Sequence, residues 1–142
     1  IAVITEAADA FDGFFCVNLA PASEIDVKVL QRADLVVVNE TESNWYGASL
    51  KACHGIVATT RGGGVATLER GGELIAEATP PAVSVVDTTG AGDTFTAALT
   101  VALIEEQSHE TALRFACAAG AASTTRMGAQ TSLPRRGDFC SD

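Results

Sequence analysis

The chain has 142 residues, 47% of them hydrophobic and 19% charged, which excludes a disordered or fibrous chain and suits one globular domain with one sizeable core. A formal net charge of −9 opposes phosphate backbones and anionic lipid, so nucleic acid and membrane are not expected partners, and any anionic ligand must be held by local groups. Cys16, Cys53, Cys117 and Cys140 form no CxxC pair and only His54 and His109 accompany them, which argues against zinc and for reduced thiols in a cytoplasmic protein.

The chain opens at Ile1 in an apolar-periodic stretch (Ile1, Ile4, Ala8, Phe11) and reads as a cut chain. Residues 14–17 form a short apolar run, expected to be a strand, with a loop over 18–21. Ser23 is placed to cap a helix reaching about Ala33, with Ile25, Val29 and Leu30 on one face. The β-branched run 35–38 has the pattern of a parallel strand buried on both faces, and a helix is expected over 42–52. A third strand, 56–59, leads into Thr60-Arg61-Gly62-Gly63-Gly64. The runs 65–69 and 74–78 flank Arg70-Gly71-Gly72 as a hairpin does.

After Pro80 and Pro81, the extended run 83–86 enters a glycine loop. A helix from near Gly92 to Glu106 places Phe95, Leu99, Ala102 and Leu103 on one face. Ser108 should cap the next helix, with Glu110 in its first turn; Leu113, Ala116, Cys117, Gly120 and Ala121 share a face whose small residues imply close packing. The tail after Pro134 is expected to be irregular. The alternation of strands and helices predicts an α/β layered domain, a mostly parallel sheet with flanking helices. Ligands of such sheets sit at the carboxyl ends of the strands, here the loops 39–42, 59–64 and 88–93.

Gly90-Ala91-Gly92 precedes a helix start, where exposed backbone N–H groups and the positive end of the helix dipole attract an anion. Asp93, in the first turn, is well placed to orient a substrate hydroxyl and accept its proton, and phosphoryl transfer needs little more than positioning and charge stabilisation. On the residues alone, an ordinary helix start with a dipole-friendly aspartate explains the same pattern. No Walker lysine follows, and the GxGxxG spacing is missing.

In its wider context, Asp87-Thr88-Thr89-Gly90-Ala91-Gly92-Asp93-Thr94-Phe95 resembles the carboxyl-terminal signature of the ribokinase-like (pfkB-type) carbohydrate kinases. Asn39-Glu40-Thr41-Glu42 matches that family's NxxE motif, and Thr125 to Gln130, with Ser132 and Pro134, is similar to the ribokinase carboxyl-terminal segment. The resemblance implies a ribokinase-like fold, incomplete here, with residues 1–142 forming its carboxyl-terminal nucleotide-binding part. It implies Asp93 as general base and the backbone of Gly90, Ala91 and Gly92 as an anion hole for the γ-phosphate of ATP. Asn39 would contact ATP phosphates, Thr59 and Gly64 would belong to the nucleotide loop, and Glu42 would hold Mg2+ largely through waters. A K+ ion would be bound by the side chains of Asp87 and Ser132 and the carbonyls of Thr89, Ser123, Arg126 and Gly128. From the residues alone, helix capping accounts for Asn39 and Glu42, turn capping for Asp87 and a solvated helix end for Arg126.

The chain departs from the family's pattern at three points. Arg61 stands where the TxGxxG loop has glycine, and either pairs with a phosphate or faces water. Cys117 stands where ribokinases carry an asparagine near the adenine and offers poorer hydrogen bonding. The amino-terminal Gly-Gly sugar motif and β lid have no counterpart, so an unpaired sheet edge is expected at 14–17, and the isolated chain is expected to be catalytically silent. The implied activity is an ATP-dependent sugar kinase acting on a primary hydroxyl, with ribose O5 favoured by the 126–134 segment and fructokinase or nucleoside kinase as alternatives within the family. Its partners would be a small sugar and ATP, with a homodimer allowed for the full-length protein. A nucleotide-binding remnant without turnover and a structural domain without ATP affinity are the competing classes.

Overall fold

The computed structural model describes residues 2–139. Cys140 therefore lies outside the described residues. The chain divides into two compact units, one comprising the residues up to Arg61 with Thr67–Ile75, the other Gly62–Ala66 with the residues from Ala76 onward.

The first unit begins with helix α1 (Ala2–Ala10), followed by strand β1 (Cys16–Asn18), helix α2 (Val27–Arg32), strand β2 (Leu35–Asn39) and helix α3 (Glu40–Tyr46). A 3-10 turn over Gly47–Ala52 leads to strand β3 (Ile56–Thr60), and strands β4 (Ala66–Arg70) and β5 (Glu73–Ala78) complete a sheet in the order β1-β2-β3-β4-β5. β1, β2 and β3 are parallel, with Val17 opposite Val36 and Asn39 opposite Thr60, whereas β4 runs antiparallel to β3. Gly71 and Gly72, both at positive φ (60° and 86°), make the tight hairpin between β4 and β5 that the sequence pattern predicts.

Val36 and Val38 of β2 join Val17, Val29, Leu30, Tyr46, Leu50 and Val57 in one apolar core. Leu35 and Val37, on the opposite face, are buried as well. β2 is thus covered on both sides, as its unbroken β-branched run implies.

Three of the boundaries that differ from expectation have an evident physical cause. β1 starts at Cys16 because Phe15 is bound outside the ladder: its N–H donates to Asp34 Oδ2 at 2.8 Å, and its carbonyl accepts from Asp34 and Leu35. Arg32 ties the same approach by donating to the carbonyls of Phe11 and Gly13, 2.7 Å each. α2 is capped by Asp26, which accepts from the Lys28 amide, and not by Ser23. The Tyr46 hydroxyl takes both backbone groups of Ser23, accepting from its N–H and donating to its carbonyl, and so holds that segment as loop. α3 ends at Tyr46 because Gly47, at φ 51°, turns the chain away from helical geometry.

In the second unit, helix α4 (Ala91–Ile104) packs on helix α5 (His109–Ser123). Thr94, Phe95, Leu99 and Ala102 of α4 and Ala112, Leu113, Ala116, Cys117, Ala119 and Gly120 of α5 are buried. A Cβ on Gly120 would lie 3.4 Å from the Ala91 carbonyl oxygen and 3.5 Å from Phe95 Cβ, so a small residue here lets α5 support the first turn of α4. Ser108 caps α5 as expected, accepting from the Thr111 amide. The tail forms a short 3-10 turn, Arg136–Asp138, held by a 2.7 Å ion pair between Arg136 and Glu105 and by Phe139 against Phe115.

Candidate active site

The glycine loop of the second unit is shaped by its first residue. Gly90 is the N-cap of α4 and has φ 78°, a left-handed conformation that side chains with a Cβ resist. Its carbonyl accepts from both the backbone N–H and the hydroxyl of Thr94, 2.9 Å each, which pins the first helical turn. The Ala91 amide donates to the Thr88 carbonyl at 3.2 Å. Among the described residues, the amides of Gly90, Gly92 and Asp93 have no acceptor. They are the unsatisfied donors that a helix start offers to an anion. Asp93 is exposed in that same turn. Of the expected anion hole, Ala91 is thus engaged within the protein, and Asp93 adds an amide that the sequence reading did not count.

Asp87 organises the approach to this loop. Its Oδ1 accepts from the Thr89 amide and its Oδ2 from the Gly128 amide, each at 2.9 Å, joining two segments 41 positions apart. The Thr89 hydroxyl first, then these two amides, hold the Asp87 carboxyl below its ordinary value, so it is ionised at neutral pH. The amides of Val86 and Asp87 both donate to the Thr124 carbonyl, at 2.7 and 3.1 Å. Thr124 escaped the sequence reading because a backbone carbonyl leaves no mark in the residue pattern.

Ser123 and Ser132 are buried at 1% and 2% exposure, whereas Arg126 is exposed. Ser132 donates its amide to the Gly128 carbonyl at 3.2 Å, and Gly128 has φ 86°. Of the residues expected to bind a monovalent cation, Asp87, Thr89, Gly128 and Ser132 are thus joined by hydrogen bonds, whereas these bonds do not reach Ser123 or Arg126. A set of carbonyls, a hydroxyl and one carboxylate suits a weakly hydrated monovalent ion. Cys117 is 3% exposed, and burial pushes its thiol up to about 11, leaving it neutral and without an open face for a base to contact.

In the first unit, Asn39 and Glu42 form a reciprocal capping box on α3. Asn39 Oδ1 accepts from the Glu42 amide at 2.9 Å, and Glu42 Oε2 accepts from the Asn39 amide at 2.8 Å. The structural role that the residues alone suggest is therefore real. It leaves Glu42 Oε1 without a protein donor among the described residues, so the side chain keeps a ligand oxygen for a hydrated divalent cation. Thr59 is inside the sheet at 3% exposure, and Thr60, opposite Asn39, is the residue at the rim. Arg61 follows it, with Nε 3.8 Å from Glu40 Oε1. Gly64 is exposed in the loop.

An α/β layered fold with two parallel crossovers, and a helix whose first turn presents free amides beside a carboxylate, make an arrangement able to hold an anion. Residues 1–136 match the pfkB family of carbohydrate kinases, and the chain belongs to that family. It is 34% identical over 135 residues to a ribokinase from Haemophilus influenzae, a match covering 84% of this chain and 44% of that protein. Its fold is similar to an Arabidopsis thaliana ribokinase complexed with ribose and ATP, with TM-score 0.85 and 33% identity over 97% of this chain and 51% of that one. A ribokinase from Thermotoga maritima gives TM-score 0.83 and 32% identity over 95% of this chain and 50% of its own. The chain spans about half the length of the relatives it matches.

Proposed function

We propose that the chain is the nucleotide-binding, phosphoryl-transfer part of an ATP-dependent sugar kinase acting on a primary hydroxyl, with ribose O5 as acceptor. The observation that carries this reading is the first turn of α4, where Asp93 is exposed beside the unengaged amides of Gly90, Gly92 and Asp93 itself. Asp93 orients the sugar hydroxyl and takes its proton as the hydroxyl oxygen bonds to the γ-phosphorus. The bond from that phosphorus to the β–γ bridging oxygen breaks, and ADP leaves. The amides face the charge on the transferring group throughout.

Glu42 would hold Mg2+ through water, and Asn39 would face the phosphates. Asp87, Ser132 and the carbonyls of Thr89, Ser123, Arg126 and Gly128 would hold K+. Magnesium bound there would neutralise triphosphate charge, and potassium would supply positive charge to the anion site. Ribose is favoured over fructose or a nucleoside by the 126–134 segment and by the ribokinase relatives.

Replacing Asp93 with Asn in the protein at its native length tests the reading. Turnover of ribose with Mg-ATP should fall by about 10²- to 10⁴-fold while the melting temperature holds. Undiminished turnover would remove Asp93 from the chemistry. A second reading, a nucleotide-binding module without turnover, predicts Mg-ATP binding with no sugar phosphorylation at any length.

A further inference from the structure

The candidate anion site is at one end of α4, and the tail of the chain is fastened to the other. Glu105, the C-cap of α4, accepts from Arg136 Nη2 at 2.7 Å and from Gln107 Nε2 at 3.1 Å. The same guanidinium lies 5.2 Å from the centre of the Phe115 ring, and Phe139 packs against that ring. The Arg136 hydrogen bond, above all, holds the Glu105 carboxyl below its ordinary value, so the pair is charged at neutral pH.

At the opposite end of α4, the tail segment meets the glycine loop twice. The Gly128 amide donates to Asp87 Oδ2 at 2.9 Å, and Ala129 lies so close to Gly90 that a Cβ there would be 3.2 Å from the Ala129 Cβ. The Ser132 amide closes a turn onto the Gly128 carbonyl. An α-helix rises about 1.5 Å per residue, so the two ends of α4 are roughly 20 Å apart. The run from Ala129 to Arg136 reaches at most about 25 Å fully extended, and its first part is folded into that turn. The backbone of this strap therefore has little slack between its two fastenings. A cavity of about 350 Å³ is lined by Ala118, Ala122 and Thr125 and by Ser132, Pro134 and Phe139 of the strap, so the strap's position depends more on its fastenings than on packing along its length.

We propose that Glu105 and Arg136 form a positioning latch, which draws the 128–132 turn against Gly90 and Asp87 and so keeps the glycine loop shaped for the phosphates of the nucleotide. The proposal rests on the kinase reading above and adds to it two positioning residues at the far end of α4.

Amide hydrogen exchange and Mg-ATP calorimetry on the full 142-residue chain test it, using Arg136→Ala, Arg136→Lys and Glu105→Gln. Arg136→Ala should speed exchange at Gly128 and Ser132 by roughly three- to tenfold, while the Ala116 amide inside α5 keeps its wild-type rate. Mg-ATP affinity should fall by roughly two- to fivefold, and Arg136→Lys should recover part of both losses. Glu105→Gln should add nothing once Arg136 is Ala, because the two residues act as one contact. Unchanged exchange at Gly128 and Ser132 overturns the proposal, as does faster exchange that reaches Ala116 equally or that leaves Mg-ATP affinity untouched. A wild-type chain with no Mg-ATP affinity removes the kinase reading and the latch with it, whereas affinity indifferent to both residues removes only the latch.

Discussion

Two residues show how the glycine loop is held and how its parts can be tested separately. Asp87 accepts from Thr89 and Gly128 in its charged form, so its folded pKa lies below the ordinary 3.8. A depressed carboxylate contributes stability above the unfolded value, and that contribution is lost as pH falls through the folded value. Asp87→Asn should therefore lower the urea midpoint at neutral pH and make the decline below about pH 4 shallower. An acid limb identical to wild type would contradict this, and because Asp87 is accessible to solvent the difference should shrink in salt. The two glycines of the loop separate stability from chemistry. Gly90 has φ 78°, and a Cβ there would lie 3.2 Å from Ala129 Cβ, so Gly90→Ala should cost about 1–2 kcal/mol in thermal unfolding. A Cβ on Gly92 meets nothing within 4 Å, so Gly92→Ala should melt like wild type yet turn over more slowly, its methyl standing where the anion approaches.

At the level of elements, α3 combines a structural and a chemical assignment on the same side chains. Glutamine can complete a capping box as glutamate does, so Glu42→Gln should change stability by less than about 0.5 kcal/mol while raising the Mg2+ concentration needed for nucleotide binding. Asn39→Ala removes the acceptor for the Glu42 amide and should cost about 1 kcal/mol of stability. If Glu42→Gln leaves the Mg2+ titration unmoved, Glu42 is a cap and nothing more. The contrast between elements also explains what the sequence made legible. β2 and α5 were readable because their patterns are local: an unbroken β-branched run in one, Ser108 followed by a stripe of small residues in the other. β1 and α2 were misplaced because their boundaries depend on distant partners. The Asp34 carboxylate holds Phe15, and the Tyr46 hydroxyl holds Ser23 from 23 positions away. Asp87 could be named from its motif, but its partner Gly128 is 41 positions away and came only from a resemblance.

For the molecule as a whole, the deciding fact is span. The match to the Arabidopsis thaliana ribokinase takes in 97% of this chain and 51% of that protein. The features that carry the proposed function, free amides, a carboxylate and candidate oxygen ligands, belong to the phosphate end of a kinase reaction. None of them reads the ring of a sugar. β1, a three-residue strand, is the first strand of the sheet and pairs with β2. The prediction is that the 142-residue chain binds Mg-ATP but transfers little or no phosphate to ribose, because Asp93 addresses only the reacting hydroxyl and no group identified among the described residues grips the rest of the sugar. Joining it to the remaining part of the Haemophilus influenzae ribokinase sequence should restore transfer, measured as ribose-dependent ADP release. Ordinary kinase turnover by the 142 residues alone would show that they already contain an acceptor site. A joined protein that binds ATP and still transfers nothing would favour a nucleotide-binding module over an enzyme.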